Sequence, residues 1–172
     1  LIRAYLGASR RNTRTPNPFT GFDSGDNLAM ADLAPQASAA QKPFHVVNIA
    51  LNLVHGSNLA WQQRKAQSFT VSPLHCGSFV NQLGYRRSAE YGKNPAVNQP
   101  ITLGTALAIS GAAASPNMGY HSSPAITFLL TLFNVRLGWW LGNPGCAGQD
   151  TYSRSCPEFA VGPMLAEAFG FT

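Results

Sequence analysis

Residues 44–54 read Phe44-His45-Val46-Val47-Asn48-Ile49-Ala50-Leu51-Asn52-Leu53-Val54, and two periods compete in them. As a strand, Val47, Ile49, Leu51 and Leu53 fill one face, while Phe44, Val46, Asn48, Ala50, Asn52 and Val54 form a mixed second face. As a helix, His45, Asn48, Asn52 and His55 line one polar stripe. The turn signal His55-Gly56-Ser57-Asn58 and the β-rich run that follows favour the strand. That run, Gln67 to Leu74, sets Phe69 and Val71 against Ser68, Thr70 and Ser72. Pro73 has no N–H to give a ladder, so the strand ends there or lies at an edge. The connection Gly56 to Ala66 carries Trp61, Arg64 and Lys65, and a hairpin is the simplest topology for the two runs.

Outward from this hairpin the signals weaken. Residues 75–100 read as irregular, with Phe79, Val80 and Leu83 packing down and Arg86, Arg87 and Lys93 facing solvent. Upstream, residues 12–43 are punctuated by Pro16, Pro18, Gly21, Gly25, Pro35 and Pro43. They lack the apolar period needed to bury themselves, so they are expected to wrap over something else. Arg3, Arg10, Arg11 and Arg14 contribute to a net charge of +5. Residues 1–43 are therefore read as a basic arm and wrapping segment, and 44–172 as the folded domain. A solvated basic segment is the first reading of the arm, and contact with anionic lipid the second. No aromatic-interleaved basic stripe follows, so nucleic acid is not expected as a partner. Charged residues make up only 11% of the chain, against about 25% in average soluble proteins. Either much of the surface is uncharged and polar, or part of it is covered. The opening Leu1-Ile2-Arg3-Ala4-Tyr5 and the closing MLAEAFGFT read as the interior of a longer chain.

Downstream, Thr102 is a candidate cap for a helix from Leu103 to about Ala113. Gly104, Ala108, Gly111 and Ala112 form a small-residue ridge that permits close approach of another element. Close packing and a functional site are weighted equally there. Ser123-Pro124 starts a second helix, and Leu141-Gly142 with Pro144 beyond stops it. A buried helix is the first reading of this segment. A helix lying in a lipid interface, with Trp139 and Trp140 at the boundary, is the second. Asn134 and Arg136 interrupt the apolar run, which makes a membrane span the last choice. Residues 142–158 read as a Gly/Pro/Ser/Cys loop, and Glu158 to Phe169 as the start of a final helix.

A serine hydrolase needs its nucleophile on a sharp turn, usually Gly-x-Ser-x-Gly, near oxyanion donors. The motif is absent, and neither Gly56-Ser57 nor Gly77-Ser78 has the second glycine. Asp23 in Asp23-Ser24-Gly25 reads as a loop aspartate. Cys76, Cys146 and Cys156 have no metal spacing. Free thiols are favoured over a Cys146–Cys156 pair. The four histidines are scattered, and neither a metal nor a cofactor is called for.

Four blocks in order resemble the patatin-like and cytosolic phospholipase superfamily, in its bacterial patatin-like subgroup. They are PFHVVNIALNL (Pro43 to Leu53), QSFTVSPLHCG (Gln67 to Gly77), LGTALAISGAAASPNMG (Leu103 to Gly119) and YHSSPAITFLLTLFNVRLGWWLGNP (Tyr120 to Pro144). The resemblance implies an α/β protein: part of a three-layer fold in which a β-hairpin is followed by helices. It implies hydrolysis of acyl esters in phospholipids or related lipids by a Ser-Asp dyad. The family's nucleophile precedes the first block and its aspartate follows the last. The chain would thus be an internal fragment, inactive alone and completed by flanking sequence or a partner chain. Ser110, Gly111, Ser115, Pro116 and Asn117 would help shape the acyl pocket. A cytoplasmic or peripheral-membrane location follows from the same resemblance. A non-catalytic lipid-surface module or a structural subunit is the competing expectation.

Overall fold

The computed structural model describes residues 2–10, 12–35, 43–52, 66–80, 83–93, 100–111 and 139–154, together with 123, 125–126, 128–129, 161–162 and 165. Among these the chain is a mixed α/β protein built on a four-stranded antiparallel sheet of order β1-β2-β3-β4. The strands are β1 (Val47–Asn52), β2 (Ala66–Val71), β3 (His75–Ser78) and β4 (Gly84–Arg87).

β1 adopts the strand period and not the helical one. It pairs with β2 in the register Val47↔Val71, Ile49↔Phe69 and Leu51↔Gln67. Val47, Ile49, Phe69 and Val71 are buried, while Phe44 and Val46 at the approach to β1 are about half exposed. β2 stops at Val71, just before Pro73. Ser72-Pro73-Leu74-His75 makes a tight turn, in which the Ser72 amide (3.1 Å) and hydroxyl (2.8 Å) both donate to the His75 carbonyl. Proline suits the second position of such a turn because its φ is already set.

The sheet then continues where an irregular segment was expected. β3 pairs with β2 through Thr70↔Gly77 and Val71↔Cys76, and with β4 through His75↔Arg87 to Ser78↔Gly84. Neither four-residue strand shows apolar alternation. Their formation rests on the ladder extended from β2 and on Gly77, whose φ is +154° and whose missing Cβ leaves room for the Gly84 carbonyl. Val80 is buried as expected, but Phe79 is 65% exposed.

Thr102 caps the helix α1 (Leu103–Ser110), its hydroxyl accepting from the Thr105 amide at 3.2 Å. Gly111 closes the helix at its C-terminus. Leu103 and Ala106 of α1 join Met30, Ile49, Phe69, Val71, Cys76, Tyr91 and Ile101 in one buried cluster over the sheet. The segment before the hairpin docks at the start of α1. Met30 N–H donates to the Ile101 carbonyl (2.9 Å), Leu103 N–H to Leu28 (2.9 Å) and Gly104 N–H to Asn27 Oδ1 (3.2 Å). Gly104 is required there, since a Cβ would sit 2.5 Å from both Asn27 Oδ1 and Ile2 Cγ1.

Residues 139–154 fold back on the far edge of the sheet. Arg86, expected in solvent, is partly buried and clamps this loop. Its Nε donates to the Pro144 carbonyl at 2.8 Å, and its guanidinium lies 3.8 Å from the Tyr152 ring centroid. Tyr91 donates its hydroxyl to the Gly142 carbonyl at 2.7 Å. Trp139 to Gly142 have no helical structure, so the second helix does not run to Leu141. Residues 125–126 and 128–129 are helical, and Ile126, Phe128 and Leu129 are about half exposed. Among the described residues no helix is long and apolar enough to cross a membrane.

Candidate functional site

The candidate pocket residues begin where α1 ends. Only the first turns of α1 are well buried, through Leu103, Gly104 and Ala106. In the last turn Leu107 is 37% exposed, and Ile109 alone packs against the core. Ser110 is exposed, yet its hydroxyl donates to the Asn48 carbonyl of β1 at 2.7 Å. A serine inside a helix commonly returns its hydroxyl to a carbonyl of its own preceding turn. Here the hydroxyl leaves the helix and reaches a strand 62 residues earlier in the chain. Gly111 follows in a right-handed conformation (φ −81°, ψ −1°), with its amide on the Leu107 carbonyl at 3.0 Å. Ser115, Pro116 and Asn117 lie outside the described residues. So does most of the small-residue ridge beyond Gly111. Gly104 is the ridge position that meets a close neighbour, whereas Ala108 and Gly111 are exposed.

The structure brings together a charge cluster that no sequence motif announced. Asp26 has a fully buried side chain. Arg14 holds its Oδ2 through Nε at 2.9 Å and Nη2 at 2.7 Å, and Arg10 Nη1 donates to its Oδ1 at 3.1 Å. Asp23 beside it accepts from the Thr15 amide at 2.7 Å and the Gly25 amide at 2.8 Å. Those amide donors, chiefly that of Thr15, hold the Asp23 carboxyl below its ordinary range, with Arg10 and Arg14 adding a smaller pull. Arg10 and Arg14 are thus internal counter-ions and not free charges of a basic arm. The only available signal was the four-residue spacing of Arg10 and Arg14 against the three-residue spacing of Asp23 and Asp26. Asp26 is held by two guanidinium groups and Asp23 by two backbone amides, which suits a structural lock more than proton transfer.

Six of the described serines are likewise engaged within the fold. Ser9, Ser72, Ser78, Ser88 and Ser110 donate to backbone carbonyls, and Ser68 donates to Asn48 Oδ1. Ser78 in particular is buried in β3 with its hydroxyl on the Ser68 carbonyl at 2.7 Å, far from a strand-to-helix elbow. Cys76 is buried against Ser88 Oγ at 3.1 Å, and that burial pushes its thiol up. Burial likewise raises the Tyr91 phenol. Both shifts oppose ionisation and therefore nucleophilic chemistry. Cys146 is an exposed free thiol, and Cys156 lies outside the described residues. Among the described residues no group of three His, Cys, Asp or Glu side chains is placed to hold a metal ion. Trp139 is 54% exposed and Trp140 is half-buried, on a segment without helical structure.

No protein-family model matches the chain, and neither a curated protein nor a solved structure matches it significantly.

Proposed function

We propose that this chain is an internal part of a patatin-like lipid acyl hydrolase. In that reading it belongs to a three-layer α/β fold, and the Ser-Asp dyad lies in flanking sequence. The chain contributes scaffold and part of the wall of the acyl pocket. The substrate is a phospholipid or related acyl ester, met at a membrane surface by a cytoplasmic or peripheral protein. The observation that carries the reading is the tie from the end of α1 to the first strand, Ser110 Oγ to the Asn48 carbonyl at 2.7 Å. It joins the strand pair and the small-residue helix, whose order along the chain is the specific part of the resemblance. Asp23, Asp26 and the six serines named above are engaged within the fold, which suits a dyad located elsewhere. The test is ester hydrolysis by the full-length polypeptide containing this chain. Activity abolished by replacing one serine outside residues 1–172 supports the reading, and full activity in every such variant contradicts it.

A second reading, a non-catalytic module that binds lipid surfaces, draws on the half-exposed Ile126, Phe128, Leu129 and Trp139. The internal pairing of Arg10 and Arg14 weakens its electrostatic part. Vesicle sedimentation without hydrolysis favours this module.

A further inference from the structure

We propose that the loop Asn17-Pro18-Phe19-Thr20-Gly21-Phe22 is the point at which the protein enters a lipid surface, with Phe19 as the inserted side chain. The proposal rests on the membrane-surface part of the proposed function and not on the dyad. Phe19 is 97% exposed and Phe22 45%, and Pro18 beside them is exposed as well. A large apolar side chain held so fully in water gains by transfer to an apolar medium. The loop that carries it is firmly closed. Asn17 N–H donates to the Phe22 carbonyl at 2.9 Å, and Gly21 N–H returns to the Asn17 carbonyl at 2.8 Å. Asn17 Oδ1 accepts from the amides of Phe19 (2.9 Å) and Thr20 (3.1 Å), and Thr20 Oγ1 accepts from the Phe22 amide (3.2 Å). Gly21, at φ +65°, supplies the left-handed turn. Pro18 has no N–H, so every backbone N–H from residue 17 to residue 22 is bonded inside the loop. This internal satisfaction favours lipid over a partner strand. Hydrocarbon offers no hydrogen bonds, so a segment that enters it must bring its own, whereas strand pairing needs free amides. The charge at the base of the loop suits anionic headgroups. Arg14 donates to the Gly21 carbonyl at 3.0 Å, and its charge is matched by Asp26. Arg3 is exposed and donates through Nη1 to the Thr20 carbonyl at 3.2 Å. A guanidinium carries several N–H donors, so Arg3 can hold the loop and a lipid phosphate together. The occupant is therefore a bilayer containing anionic phospholipid.

The test is sedimentation of the full-length polypeptide containing this chain with vesicles of phosphatidylcholine, with and without phosphatidylserine. Phe19→Ser should weaken binding to both by about tenfold, the loss expected when one buried phenylalanine is removed from the contact. Arg3→Gln should weaken binding about fivefold to the anionic vesicles only, and added salt should remove that difference. Neither side chain is buried in the fold, so both variants are expected to keep the wild-type Tm. Depth is read with Phe19→Trp, whose added fluorescence over wild type should be quenched by brominated acyl chains. Wild-type binding by Phe19→Ser, or added fluorescence that bromine leaves untouched, overturns the proposal. An equal loss on both vesicles by Arg3→Gln overturns the headgroup contact. A wild-type protein that sediments with neither vesicle also overturns the proposal, and the pocket of a partner protein is then the occupant left for Phe19. Hydrolysis of a water-soluble short-chain ester decides the proposed hydrolase separately, since that assay needs no lipid surface.

Discussion

Replacing Asp26 by asparagine should destabilise the protein more than any other single change of one carboxylate to its amide among the described residues. The Asp26 side chain is wholly buried, and it accepts from Arg14 Nε and Nη2 and from Arg10 Nη1 at 2.7 to 3.1 Å. Asparagine keeps the shape but removes the charge, and its NH2 group must face a guanidinium. Breaking a buried pair from one side costs about 3–5 kcal/mol, because the remaining charge is left uncompensated. The arginine side chains are 31% and 19% exposed, and water relieves part of that penalty, so about 2–4 kcal/mol is the expected loss. For a domain of this size that corresponds to a fall in Tm of roughly 5–15 °C. Urea unfolding of wild type and Asp26→Asn at pH 7 measures it directly, with an unchanged slope indicating a real change in stability. A loss below about 0.5 kcal/mol, the size of an ordinary surface substitution, would refute the buried-lock reasoning.

Other consequences follow from the same geometry. Asp23 is held ionised by the Thr15 and Gly25 amides below its ordinary value of 3.8. Its stabilising contribution is therefore complete above the unfolded value and lost as pH falls through the lower folded value; an NMR titration of the Asp23 carboxyl with a midpoint at or above 3.8 contradicts this. Gly77→Ala should lose at least about 2 kcal/mol by thermal unfolding, since φ is +154° and the new Cβ meets the Gly84 carbonyl; wild-type stability would show that β3 and β4 do not pack this closely. A thiol reagent followed by peptide mapping should label Cys146 in the native protein and leave Cys76 untouched until unfolding. Arg86→Ala should speed proteolysis within residues 142–154, because the loop loses both its carbonyl clamp and the stacking on Tyr152; an unchanged cleavage pattern counts against the clamp.

The hairpin was legible because burial of one face imposes a two-residue period, and Val47, Ile49, Phe69 and Val71 obey it. The Thr102 cap was legible because capping is a local contact within one turn. β3 and β4 were hidden: His75-Cys76-Gly77-Ser78 and Gly84-Tyr85-Arg86-Arg87 form strands by extending an existing ladder, and no periodicity of their own advertises it. Arg86 was misread for a related reason, since its partners Pro144 and Tyr152 are distant in sequence. The Asp26 cluster joins two irregular stretches, where spacing carries little information about contact. Trp139 and Trp140 were read at the end of a helix, but they lie on the irregular segment that the Tyr91–Gly142 bond and the Arg86 clamp tie to the sheet. For the candidate site, Ser110 was named from the sequence, but its bond to Asn48 needed the fold.

The most direct test of the central claim is fluorophosphonate labelling of the full-length polypeptide, followed by peptide mapping of the adduct. The account predicts one labelled serine outside residues 1–172 and none within them. A labelled serine inside this chain, or a protein that takes up no label while binding lipid vesicles, would contradict it.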